Sequence, residues 1–136
     1  MSKVLLDTNA YSRLMAGDQS VFEQIANADI VYMSTFVVGE LLFGFKGGNK
    51  ERDNKKILDK FLTRSTVKIL NATFDTAVFF AQVKQSLKLA GAPIPINDIW
   101  IAAHALETGS VMVSYDNHFD NVPGLRMWDA ENLGTE

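Results

Sequence analysis

The chain contains no cysteine. That excludes a disulfide framework, a thiol nucleophile and any thiolate zinc site, and it is compatible with a reducing compartment. Long apolar runs are missing as well. No stretch approaches the roughly 20 residues needed to span a bilayer, and the start, Met1 to Leu6, reaches Asp7 too soon for the apolar core of a signal peptide. A soluble, cytoplasmic protein with no membrane role is the expectation. The net charge is −3, so bulk charge does not mark the molecule as a polyanion binder. There is no internal repeat, low-complexity segment or linker.

What is present suits one domain over residues 1–136. Hydrophobic residues make up 47% and charged residues 21% of 136, enough apolar content for the chain to bury a core of its own. The charge is unevenly spread. Residues 46–64 hold seven basic side chains (Lys46, Lys50, Arg52, Lys55, Lys56, Lys60, Arg64) against three acidic ones. Such a stretch is either a solvated helix face or a contact for a phosphate backbone.

Apolar periodicity organises the rest. Val4-Leu5-Leu6 reads as a buried strand followed by a helix from near Asn9 to Met15. A helix over 20–27 and a strand over 30–33 follow. Ser34 suits the N-cap of the next helix, since its hydroxyl can accept from a free backbone amide; that helix carries Glu40 and ends at Gly47-Gly48. Residues 49–63 are amphipathic, with Ile57, Leu58, Phe61 and Leu62 on one face, and pair with the preceding helix as a hairpin. Residues 67–70 form a third strand. A helix over 73–90 places Phe74, Ala77, Val78 and Ala81 on its inward stripe and ends at Gly91, which suits the left-handed position after a helix. Another runs over 97–108, stopped by Gly109, and strands at 111–114 and 125–128 close the chain. Strands that are continuous apolar runs alternating with helices indicate an α/β fold. The expected form is a central parallel sheet of four to five strands, flanked by helices on both faces.

In such a sheet, ligands gather beyond the carboxyl ends of the strands. Asp7 and Asp116 lie just past two of those ends and become neighbours if the strands pair. Asp98, in the first turn of its helix, and Glu40 can reach the same rim. Taken singly, Asp7 and Asp116 read as turn or cap residues, and Asp98 as an acid favoured by the helix dipole. Glu40 interrupts the run from Phe36 to Phe43, where apolar residues occupy nearly the whole helix circumference. A buried carboxylate without a partner costs several kcal/mol or takes up a proton, so a cation or a donor is expected there.

Leu5-Leu6-Asp7-Thr8-Asn9, Val38-Gly39-Glu40-Leu41-Leu42-Phe43-Gly44, Asn97-Asp98-Ile99-Trp100 and Ser114-Tyr115-Asp116-Asn117-His118-Phe119, in that order and spacing, resemble the PIN domain. More narrowly, they resemble the VapC toxins of toxin–antitoxin pairs. The resemblance implies a single PIN-like domain with metal-dependent endoribonuclease activity, in which Asp7, Glu40, Asp98 and Asp116 hold Mg²⁺ or Mn²⁺. The residue types agree, since these hard ions prefer carboxylate and water oxygens. It also implies Thr8, Asn9 and Ser114 as hydrogen-bonding supports of the acids, an RNA substrate, a cognate antitoxin and a homodimer. Asn117 and His118 take no catalytic role on this reading, and His104 is a core or interface histidine. Arg13, Lys46, Lys50 and Arg52 are the candidates for RNA-backbone contact. Phe43, Phe45 and the hairpin from Glu40 to Leu62 offer apolar surface to an antitoxin tail, with Phe43 expected in the core and Phe45 exposed.

Other classes are weighed on the same residues. A receiver-type phosphoacceptor needs a lysine after its last strand, where this chain reads Met127-Trp128-Asp129. An aspartyl phosphatase needs a second aspartate where Asn9 stands. A PIN-like domain that binds RNA without cutting it would be expected to lose acids, and an RNA-processing nuclease outside a toxin–antitoxin pair is the alternative within the same chemistry.

Overall fold

The computed structural model describes residues 1–129. Five strands, β1 (Lys3–Leu6), β2 (Ile30–Ser34), β3 (Val67–Leu70), β4 (Val111–Val113) and β5 (Arg126–Met127), form one parallel sheet in the order β3-β2-β1-β4-β5. Six helices connect them: α1 (Thr8–Met15), α2 (Gln19–Asn27), α3 (Thr35–Lys46), α4 (Glu51–Leu62), α5 (Phe74–Ala90) and α6 (Ile96–Thr108). Successive residues of a strand point to opposite faces, and Leu5, Leu6, Met112 and Val113 are all fully buried. Both faces of the sheet centre are therefore covered, as continuous apolar strands require. Burying each such side chain stabilises the fold by about 1.5–3 kcal/mol.

Local chemistry sets the helix ends. Asp7 caps α1, accepting from Ala10 N at 2.8 Å, so the helix begins at Thr8, one residue before the expected start. Ser34 caps α3 by accepting from Phe36 N at 3.1 Å. Thr73 and Thr76 form a reciprocal capping box on α5, and Gly91 and Gly109 end α5 and α6 with φ of 66° and 67°, a left-handed geometry that side-chain-bearing residues avoid. The last strand is shorter than the expected 125–128.

Side-chain placement departs from the expectation in three helices. On α5 the stripe of Phe74, Ala77, Val78 and Ala81 faces outward, Phe74 being 83% exposed, while Thr76, Val83 and Leu87 are buried. α5 has apolar residues on more than one face, and packing against α6 selects which face is covered. On α3 the two phenylalanines are reversed: Phe43 is 78% exposed and Phe45 packs on the core. On α4, Leu58 and Phe61 are buried but Ile57 is about half exposed.

Two contacts set the helices that bear Glu40 and Asp98. The Trp100 ring of α6 stacks between Phe36 of α3 and Phe80 of α5, with centroids 5.1 and 4.0 Å away. Below it the buried His104 Nδ1 meets the Ser34 hydroxyl at 2.8 Å, so His104 is a core residue. Burial lowers its pKa, which favours the neutral ring.

Candidate active site

Strand β1 pairs with β2 on one side and β4 on the other, Leu6 lying opposite Val113. The order of connection reverses between β1 and β4, and the crevice beyond their carboxyl ends is where an open parallel sheet binds ligands. Asp7 leaves β1 there, its amide donating to Val113 O at 3.3 Å. Ser114, Tyr115 and Asp116 leave β4 beside it.

Asp7 is only 5% exposed. Its Oδ1 accepts from Ala10 N, and its Oδ2 accepts from the Ser114 hydroxyl at 2.5 Å. The same hydroxyl accepts from Asp116 N at 2.9 Å, so Ser114 ties the two acids together. Trp128 Nε1 donates to Ser114 O at 2.7 Å and holds that loop from the other side. Burial pushes the Asp7 carboxyl above its ordinary 3.8, and Asp116 and Glu40 push the same way, against the two hydrogen bonds. The Asp7 side chain that caps α1 is thus also the one tied to Ser114 at the end of β4.

Glu40 reaches the crevice from α3 and accepts from the Thr8 hydroxyl at 2.8 Å. It is half-buried, because Gly39, Phe43 and Gly44 leave that side of α3 open. The enclosed position expected from the apolar run does not occur. Asp98 comes from the first turn of α6. Burial raises its carboxyl, with repulsion from Glu40, Asp116 and Asp7 adding to the shift and His118 opposing it. Asp98 therefore lies within electrostatic reach of the other three acids, and Asp7 within reach of Asp116 and Glu40.

A fifth side chain joins them. His118 sits in a short 3-10 turn (Asn117–Asn121) anchored by the buried Phe119. Its ring bridges two acids, with Nε2 2.9 Å from Asp98 Oδ2 and Nδ1 3.1 Å from Asp116 Oδ1. The sequence marks His118 only by its spacing two residues after Asp116, a weak signal without the turn that folds it back.

The remaining candidates separate by position. Asn9 is exposed and is not among the hydrogen-bond partners of Asp7. It lines a groove of about 500 Å³ beside the acids with Ser12, Arg13, Ala16, Tyr115 and Asp116. Arg13 stacks on the Tyr115 ring, 4.3 Å from its centroid, and approaches Asp18 at 4.0 Å, while Tyr115 donates its hydroxyl to Asp18 at 2.8 Å. Lys46, Lys50 and Arg52 lie at the α3–α4 turn, away from this groove, and Lys46 is paired with Glu51 at 3.0 Å.

The donor set suits a divalent cation. It offers carboxylate oxygens and one imidazole. Two of its carboxyls are raised partly by their neighbours' charge, so a cation would relieve the repulsion that raises them. Ligand atoms of Asp98, Asp116 and His118 lie within 4.8 Å of one another, and His118 Nε2 is buried without completing a hydrogen bond among the described residues.

The sequence profile of the PIN domain covers residues 4–125, and the chain belongs to the PIN domain family. Ribonuclease VapC2 of Haemophilus influenzae is 34% identical over 131 residues, covering 93% of this chain and 96% of its own. Within the family, the chain belongs with the VapC proteins. The tRNA(fMet)-specific endonuclease VapC of Salmonella typhimurium is 26% identical over 95% of this chain and 98% of its own. The crystal structure of DNA-bound VapBC from Salmonella typhimurium contains a chain that superposes with a TM-score of 0.84 at 26% identity, covering 96% of this chain and 99% of that one.

Proposed function

We propose that this protein is a Mg²⁺- or Mn²⁺-dependent endoribonuclease acting as the toxin of a toxin–antitoxin pair. The observation that carries the reading is the convergence of Asp7, Glu40, Asp98 and Asp116 at the β1/β4 crevice, with the carboxyls of the buried Asp7 and the part-buried Asp98 raised partly by the other acids. These four side chains would hold the ion. When bound, a divalent ion supplies Lewis acidity, neutralising phosphate charge and acidifying a water for in-line attack on the phosphodiester.

The chain's own groups keep this site in order. Ala10 N and the Ser114 hydroxyl hold both oxygens of Asp7, and Thr8 holds Glu40, so neither carboxylate has to be oriented at the moment of reaction. Arg13, steadied by Tyr115 and Asp18, presents a guanidinium in the groove beside Asp116 and suits a phosphate of the RNA flanking the cut. Lys46, Lys50 and Arg52 would serve a more distant part of the RNA backbone.

The test is cleavage of RNA by the purified protein with Mg²⁺ or Mn²⁺, repeated with a chelator and with Asp7→Asn and Asp98→Asn. Each variant should lose at least about 100-fold in rate, the scale of removing a group that acts on the reacting centre. Cleavage that survives the chelator, or full activity in both variants, would defeat the mechanism.

The partners follow from exposed apolar surface. The VapBC neighbours favour an antitoxin, and the outward Phe43 and Ile57 of the α3–α4 hairpin suit its tail. The outward Phe74–Val78 face of α5 suits a second copy of the chain. Phe74→Asp should shift the sedimenting species from dimer to monomer; a monomeric wild type would overturn that assignment.

A further inference from the structure

We infer that His118 is a direct metal ligand, its Nε2 joining Asp98 on the ion while its Nδ1–H anchors the ring on Asp116. This inference rests on the proposed reading of the crevice as a divalent-cation site. A neutral imidazole has one N–H and one lone pair, and both nitrogens of His118 face carboxylate oxygens, at 2.9 and 3.1 Å. One N–H can satisfy only one of them. With the proton on Nδ1, directed at Asp116, the Nε2 lone pair faces Asp98 Oδ2, an approach that a shared cation makes favourable; a second proton, on the ring or on Asp98, would do the same, and nitrogen coupling to a bound ion separates the two. Nε2 is the nitrogen that is buried without completing a hydrogen bond among the described residues.

The frame is also the one that metal-binding histidines use, in which the second ring nitrogen donates to a carboxylate and so sets tautomer and orientation. The ring has little room to leave. It packs 4.7 Å from the Phe119 ring, which is itself buried and anchors the 3-10 turn. An imidazole nitrogen among carboxylates shifts preference from Mg²⁺ toward Mn²⁺, since nitrogen ligands favour the later divalent ions.

Pulsed EPR of the full chain loaded with Mn²⁺ tests this directly. The wild type should show nuclear modulation from a ligated ¹⁴N, replaced by a ¹⁵N pattern when only the histidines are ¹⁵N-labelled. The other histidine, His104, is fully buried and bonded to Ser34, so the signal reports on His118. His118→Gln should abolish the modulation and weaken Mn²⁺ binding about tenfold or more, the scale on which ligand-shell changes act, with a smaller loss for Mg²⁺. Mn²⁺ bound without nitrogen modulation, at an affinity His118→Gln leaves unchanged, would overturn the inference while leaving the nuclease reading intact. A wild type that binds no Mn²⁺ would overturn both. The labelling arm needs no variant and decides the question even if His118→Gln misfolds.

Discussion

Removing the Ser114 hydroxyl separates the contribution of the site's scaffold from that of its acids. In Ser114→Ala the buried Asp7 Oδ2 loses a 2.5 Å donor and Asp116 N loses a 2.9 Å acceptor. A hydrogen bond to a charged group contributes about 1.5–3 kcal/mol and a neutral one about 1 kcal/mol. Asp116 N is less enclosed and can recruit water, so the expected loss is about 2–3 kcal/mol at pH 7.5 without divalent ions. The sign of the pH dependence follows from linkage. Asp7 already titrates above 3.8 in the folded protein, and the Ser114 bond is one of the two hydrogen bonds that restrain the shift. Without it the folded variant keeps its Asp7 proton to still higher pH than the wild type. The unfolded chains titrate alike, so the variant's deficit grows only between the wild type's raised folded value and the variant's still higher one, and is level above both. Urea unfolding followed by circular dichroism at pH 4.5 and 7.5 measures both quantities. Ser114→Thr keeps a hydroxyl and should restore the wild-type pH dependence even if its methyl group costs some packing. A deficit below about 0.5 kcal/mol, or one equal at the two pH values, would refute the claim that this hydroxyl holds an ionised Asp7.

Two further substitutions probe the neighbours. Thr8→Val keeps the shape of the side chain but removes the donor to Glu40; turnover should fall about tenfold with roughly 1 kcal/mol of stability, and Thr8→Ser should recover most of both, whereas unchanged turnover would strip Thr8 of its role. Arg13 is largely exposed and its pairing with Asp18 is long, so Arg13→Ala should cost under about 0.5 kcal/mol of stability. KM for RNA should rise with little change in kcat, and the slope of log KM against log salt should become shallower by about 0.7, one phosphate's worth of a single strand; a kcat effect with KM unchanged would move Arg13 from substrate binding to the chemistry.

The parts of the fold readable from sequence are those in which local chemistry and burial agree. β1 and β4 are short apolar runs because both of their faces are covered, and such runs look the same wherever the strand is placed. Gly91 and Gly109 mark helix ends because the left-handed turn after a helix excludes most other residues. The cap role of Asp7 is legible because a carboxylate just past a strand suits a helix start, and it does cap α1. The apolar neighbours of Glu40 predict an enclosed carboxylate, yet α3 leaves Gly39, Phe43 and Gly44 facing outward. A lone acid in an apolar run stays accessible when its helix has one open side.

By itself, the sequence determined the alternation of strands and helices, the order of the four acids and the absence of thiol chemistry, because each depends on residue type and short-range spacing. Tertiary structure decided what depends on which elements meet. It paired β1 with β4, so that Ser114 could bridge Asp7 and Asp116 across 107 residues of chain. It chose which apolar stripe of α5 to bury, a choice that periodicity leaves open when a helix is apolar on more than one face. It also folded the turn after Asp116 so that His118 lies between two carboxylates, a placement set by the anchoring of Phe119 in the core and by no pattern local to the histidine.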